Sequence, residues 1–332
     1  MKRHADPRFV LVTRPTRLAE LMVRHTTVGQ ARFHLERLGA DFSDFEAEDR
    51  TYQSALARVR ALLARQGRLQ VLERRFLAHY LFQPEDRVVV LGPDGLVANT
   101  LKYVAGQPIV GVNPDPTRWD GRLLPFRVDD LERLLPQILA GERPLRRVTM
   151  ALAALNTGLE LHAVNDLFIG LSHHGSARYR LTLGGRTEEQ SSSGIVVSTG
   201  LGSTGWLSSL LTGAATLART ACRGAAEPAG PAPTPSPRIR SGFPLDDLAA
   251  ESQFPWDADY LYYTVREPFP SRTTAATLVF GRISAGHPLV VESRMPERGV
   301  IFSDGLEHDR LEFNAGARVT VGLAERQGFL VA

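Results

Sequence analysis

Three stretches of this 332-residue chain combine residue types and spacings that could do chemistry. In the first, Gly92-Pro93-Asp94-Gly95, one carboxylate stands at the apex of a glycine-bracketed turn directly after the apolar run Val88-Val89-Val90-Leu91. A carboxylate held there would face a bound nucleotide and not the core. The free N–H groups of a helix starting at the turn, with Gly92 and Gly95 allowing close approach, can bind phosphate. In the second, Asn165-Asp166, an amide and a carboxylate interrupt the apolar residues Ala163, Val164, Leu167, Phe168 and Ile169. Together they can grip the vicinal hydroxyls of a ribose. The third runs Ser198-Thr199-Gly200-Leu201-Gly202-Ser203-Thr204-Gly205-Trp206. Its backbone N–H groups and hydroxyls suit phosphates, and Trp206 offers an aromatic face for stacking. The Gly-Lys-Ser/Thr ending of a Walker A loop is missing. Each stretch alone is weak, because Asp-Gly and Asn-Asp pairs are ordinary turn formers.

The elements that must position these residues follow from pattern. Val88 to Leu91 suits a strand buried on both faces of a parallel sheet, followed by a helix over Leu96 to Tyr103 and a strand at Ile109 to Asn113. In a strand–turn–helix–strand unit the turn lies at the carboxyl edge of the sheet, where open α/β folds place their ligands. Upstream, the pattern predicts a strand at Phe9 to Val12 and a helix from His25 to Leu38 stopped by Gly39. A second helix is marked by Ala55, Leu56, Val59, Leu62 and Leu63, and a third by Leu72, Phe76, Leu77, Tyr80 and Leu81. Asn113-Pro114-Asp115-Pro116 is a loop, and Leu131 to Leu139 a helix. Beyond Gly141 to Pro144 the period becomes alternating. Arg178 to Leu183, Gly184-Gly185, and Arg186 to Gln190 read as a β-hairpin. Further strands are predicted at Tyr260 to Val265, Thr277 to Phe280, Leu289 to Glu292, Val300 to Ser303, Arg318 to Leu323 and Phe329 to Val331, a spacing that suits a sandwich. The expectation is a Rossmann-like α/β domain over 1–143 and a β-rich, sandwich-like domain over 144–332, with the nucleotide site in the cleft between them. An Ala/Pro/Gly-rich insert at 224–243 is expected to be a disordered surface loop.

Composition narrows the function classes. Apolar content of 43% and charged content of 23% are those of a soluble globular protein. The net charge is +3, and lysine occurs only at Lys2 and Lys102. With no basic run among the arginines, no nucleic-acid partner is expected. The single cysteine, Cys222, leaves no internal disulfide or cysteine zinc site, which points to a reducing cytosol and a cytoplasmic protein. The start Met1-Lys2-Arg3-His4 lacks a signal-peptide core, and no apolar run is long enough for a bilayer, so no membrane partner is expected. His173 and His174 are adjacent and would point apart on extended chain, so no protein metal site is expected; His308 reads as a turn residue.

The order and spacing of the three stretches, with Gly111 to Pro116, Asn165 to Gly170, Ser192 to Gly194 and Arg266 to Pro268, resemble the NAD kinase family of the ATP-NAD kinase/diacylglycerol kinase-like superfamily. The likeness is greatest to its mitochondrial-type branch and runs from about Phe9 to the carboxyl terminus. It implies ATP-dependent phosphorylation of the adenosine-ribose 2′-hydroxyl of NAD to give NADP. Asp94 would be the base. Gly92 and Gly95 would lie on the ATP phosphates, and Asn165, Asp166, Thr199, Gly202, Ser203, Thr204 and Trp206 on NAD. The resemblance further implies NAD and ATP as substrates, Mg²⁺ carried with ATP, and a homo-oligomer of at least two chains. The turn here is a Gly-Pro-Asp-Gly variant of the family's Gly-Gly-Asp-Gly. Pro93 removes one backbone N–H and Leu96 replaces a threonine hydroxyl, which impoverishes the phosphate side. Two other readings follow: a catalytically silent NAD(H)-binding protein, and a kinase acting on a sugar or lipid hydroxyl.

Overall fold

The structure, a computed structural model, describes residues 7–224 and 253–332. The expected disordered insert at 224–243 lies, but for Gly224, outside the described residues. The chain divides into two compact units, residues 1–147 with 326–332, and residues 148–325. Thus the carboxyl-terminal segment returns to the first unit, whereas a boundary drawn from composition puts all of 144–332 in the second.

The first unit comprises β1 (Arg8–Thr13), α1 (Arg17–His25), α2 (Val28–Arg37), α3 (Phe42–Gln66), β2 (Arg68–Glu73), β3 (Asp86–Leu91), α4 (Asp94–Leu101), β4 (Ile109–Asn113), β5 (Phe126–Arg127) and α5 (Val128–Ala140). Strand β1 lies between β2 and β3, all parallel, and β4 extends the sheet beside β3 with Val88 opposite Ile109. On one face of β3 and β4, Val89, Leu91, Val110 and Val112 pack with Tyr52, Val59 and Leu63 of α3 and Leu131 and Leu135 of α5, and Val88, Val90 and Ile109 on the other face are buried as well.

Two helix expectations change. The helix predicted over His25 to Leu38 is broken at Thr26, which takes φ 64°, and restarts at Val28 with the Thr27 hydroxyl accepting the N–H of Gln30 at 3.2 Å. A threonine pair caps better than it continues a helix. The third predicted helix is instead strand β2 followed by a 3-10 turn over Arg74–His79. Parallel pairing with β1, Leu72 opposite Val12, satisfies that backbone, and two residues of the supposed apolar stripe, Phe76 and Leu81, are exposed.

The second unit holds β6 (Leu145–Leu155), whose first residues belong to unit one, β7 (Glu160–Ala163), β8 (Asp166–Leu171), β9 (Ala177–Leu183), β10 (Arg186–Ser192), β11 (Ile195–Ser198), α6 (Trp206–Gly224), β12 (Tyr260–Val265), β13 (Phe280–Ser284), β14 (Leu289–Ser293), β15 (Gly299–Ser303), β16 (Leu306–Glu312) and β17 (Arg318–Val331), whose residues from Arg326 onward belong to unit one. One layer has the order β13-β12-β11-β8-β15-β16, all antiparallel; β10, β9, β14 and β17 build the other, with β6 and β7. Leu167, Ile169, Ile195 and Leu261 from the first layer share one core with Ala151, Tyr179, Val291 and Val319 from the second. This is the expected sandwich. The Gly184-Gly185 hairpin forms with both glycines at positive φ, 56° and 79°. The strand predicted at Thr277 to Phe280 starts only at Phe280, and the last two predicted strands are one, β17. His308 lies within β16 and not in a turn.

Candidate active site

In the first unit, Asp94 is the first residue of α4, with Pro93 as the capping position at φ −76° and ψ 167°. Proline's ring holds φ near that value anyway, so the turn accepts it without strain. Asp94 is half-buried. Its Oδ1 accepts the N–H of Leu123 at 2.6 Å, and its Oδ2 takes no hydrogen bond among the described residues. One oxygen is therefore fixed and the other is available as a base. A Cβ on Gly92 would stand 2.7 Å from Leu96 Cδ2, so that side chain would have to shift to admit one. Leu96 is itself 2% exposed, so it plugs the core beneath the turn. Gly95 is exposed in the first helical turn, where backbone N–H groups have no intrahelical partner.

Residues that sequence reasoning passed over hold this edge together. The buried Tyr52 hydroxyl donates to the Leu91 carbonyl at 3.0 Å and accepts the Arg14 N–H at 3.1 Å, tying the ends of β3 and β1 to α3. Buried Glu48 accepts from Arg14 at 2.7 Å and from Arg17. Asp44 accepts from Arg118 at 2.6 Å and Arg17 at 2.7 Å, which together hold its carboxyl well below the usual range. The Asn113 amide donates to the Trp119 carbonyl at 3.0 Å, and Gly121 turns at φ 69° against that same amide. The loop thus folded presents the Leu123 N–H to Asp94. The loop at Asn113 was legible from its prolines; its long-range partners were not.

In the second unit the Asn165-Asp166 turn and the Thr199–Gly205 loop are interlocked. Thr199 donates through its hydroxyl to the Val164 carbonyl at 2.5 Å and through its N–H to the Asn165 carbonyl at 2.9 Å. A Cβ on Gly202 would lie 2.3 Å from the Asn165 carbonyl oxygen, and one on Gly200 would lie 1.9 Å from that of Pro255. Both positions therefore require glycine. Ser203 is buried and donates to the Gly200 carbonyl at 2.8 Å, while Thr204 is exposed. The structure brings together Asn165, Asp166, Thr199, Gly202 and Ser203. Trp206 opens α6 with its ring stacked on Phe168, centroids 5.7 Å apart, and the Arg266 guanidinium 5.6 Å from its centroid.

Asp304 organises this turn. It sits at φ 54° in the β15–β16 hairpin, and its carboxylate accepts the N–H groups of Val164 (3.0 Å), Asn165 (2.6 Å) and Asp166 (3.3 Å). The Asp304-Gly305 pair was its only sequence signal. Asp166 Oδ1 is buried and, among the described residues, without a hydrogen-bond partner. Burial, reinforced by the charge of Asp304 and opposed by a hydrogen bond from Ser198, pushes its carboxyl up to about 7. Among the described residues no three His, Cys, Asp or Glu side chains could hold a metal ion, and His173 Nδ1 accepts the Gly175 N–H at 3.0 Å. No described helix is long and apolar enough to cross a membrane.

No protein-family model matches this chain, and no curated protein sequence matches it. Solved structures do. A crystal structure of an NAD kinase from Archaeoglobus fulgidus in complex with ATP is similar over 98% of this chain and 93% of that one, at 15% identity and a TM-score of 0.52. Yeast NADH kinase complexed with NADH is similar over 99% of this chain and 84% of that one, at 12% identity and a TM-score of 0.52. The chain has the fold of these kinases.

Proposed function

We propose that this protein is an NAD kinase that transfers the γ-phosphoryl group of ATP to the adenosine-ribose 2′-hydroxyl of NAD. The observation that carries the reading is Asp94. One oxygen is held by the Leu123 N–H, the other is unpaired among the described residues, and the group stands at a helix amino terminus at the carboxyl edge of a parallel sheet. Asp94 Oδ2 takes the hydroxyl proton as the oxygen attacks phosphorus. Asn165 and Asp166 hold the ribose hydroxyls, and the Thr199–Gly205 loop carries the dinucleotide phosphates. The N–H of Gly95, in the first turn of α4, receives the triphosphate, and Mg²⁺ enters as part of the ATP substrate. The similar fold of an ATP-bound NAD kinase and an NADH-bound kinase supports this reading. NADP formation from NAD and Mg-ATP is expected, falling by about 10²- to 10⁴-fold in Asp94→Asn with NAD binding kept. A variant as active as the parent would remove Asp94 from the reaction. Binding of NAD without turnover in the parent would make the chain a dinucleotide-binding protein.

A further inference from the structure

Within the first unit a groove of about 480 Å³ lies between α3 and the start of α5. Its walls carry Arg50, Ser54 and Arg58, spaced four apart on one face of α3, with Thr51 beside them and Arg127 opposite. The floor is Asn113, Pro114 and Pro116. Arg58 is neutralised by an ion pair with Asp129, which also lines the groove. Arg50 and Arg127 have no ion-pair partner among the described residues, and both are exposed. Asp129 and Asp130 place two carboxylates in the first turn of α5, and Asp130 accepts the Arg127 N–H at 3.2 Å, so the arginines and not the helix terminus carry the attraction for an anion.

We infer that this groove is a binding site for a linear phosphate chain of two or more phosphates, free or carried on a nucleoside. Cations gathered around one concavity repel each other unless an anion joins them, and guanidinium forks pair with phosphate oxygens at two points each. The Thr51 and Ser54 hydroxyls add donors between the two unpaired arginines. The volume is that of a ligand site, and its polar groups stand beside the apolar Ala55 and Val128. The prolines keep the floor rigid. Asn113, whose amide holds the loop that presents the Leu123 N–H to Asp94, also lines the groove.

The test is direct titration of the full-length protein with inorganic tripolyphosphate in the absence of NAD, by calorimetry, for the parent and Arg50→Gln/Arg127→Gln. Expected is saturable binding that weakens by about tenfold or more in the arginine pair variant and falls as salt is raised. Hydrogen exchange should slow at residues 50–58 and 113–128 when tripolyphosphate is added. A parallel titration with ATP separates the sources: binding of both to the groove indicates recognition of the phosphate chain alone. ATP binding that is lost in the pair variant while tripolyphosphate fails to bind would overturn the phosphate-chain assignment. Unaltered binding in a folded pair variant, or no saturable binding in the parent, would overturn the site.

Discussion

Asp166 should make NAD binding pH-dependent, with a sign and size set by its surroundings. Its carboxyl is raised from 3.8 to about 7 by burial, with Asp304 adding to the rise and the Ser198 hydroxyl opposing it. A ribose hydroxyl donating to this group selects the ionised form, so binding must expel the proton wherever the free protein holds one. At pH 8 the free carboxyl is about 90% ionised and binding costs almost nothing extra; at pH 6 it is about 90% protonated, and affinity should be roughly tenfold weaker, or about 1.4 kcal/mol. Calorimetry at pH 6 and pH 8, each in two buffers of different ionisation enthalpy, reads the affinity and the released proton together. Asp166→Asn cannot ionise and should bind weakly but without the slope. The same group acts on stability in the opposite sense. Because its folded value lies above its unfolded value, its contribution is full below about pH 4 and is lost as pH rises to about 7. Melting of the parent relative to Asp166→Asn should therefore worsen from pH 5 to pH 8. Equal affinity at the two pH values, or an unchanged slope in Asp166→Asn, would refute the reasoning.

Two further outcomes follow from the second unit. Asp304→Ala strips the acceptor from the N–H groups of Val164, Asn165 and Asp166 and should cost about 3 kcal/mol or more in denaturant unfolding, since hydrogen bonds to a charged acceptor are worth about 1.5–3 kcal/mol each. Asp304→Asn should keep more of that stability while shifting the midpoint of the pH-dependent NAD affinity downward, because a like charge beside Asp166 is gone; a loss below 1 kcal/mol in the alanine variant would show that the turn stands without this clamp. Gly202→Ala would put a methyl group against the Asn165 carbonyl and should lower stability by about 1–3 kcal/mol and weaken NAD binding, read by thermal melting and calorimetry. A variant with parental melting and affinity would mean that the loop and turn are not locked as described.

The three stretches with chemistry, the α/β then β order, and most strands were legible in the chain because each is written in local signals. Aliphatic runs mark strands buried on both faces, alternation marks the sandwich strands, and the Gly184-Gly185 pair marks its hairpin. Where local signals competed, they misled. The apolar spacing at Leu72, Phe76 and Leu77 fits a helix, yet the open edge of β1 offers that backbone a parallel partner, and strand pairing wins over periodicity. Sequence also presents Leu96 as a lost hydroxyl, whereas its side chain fills the core under Gly92.

The amino-acid sequence by itself determined which residues could act: Asp94 in its turn, the Asn165-Asp166 pair, and the glycine-rich loop at Thr199 to Gly205. Only the tertiary structure decided their state. Asp94 is oriented by a backbone N–H from a residue 29 positions away, and Asp166 is held and electrostatically tuned by Asp304, 138 positions away. Hydrogen-bond partners and the burial that shifts a carboxyl depend on which chain segments meet in space, and neither residue type nor spacing along the chain carries that information.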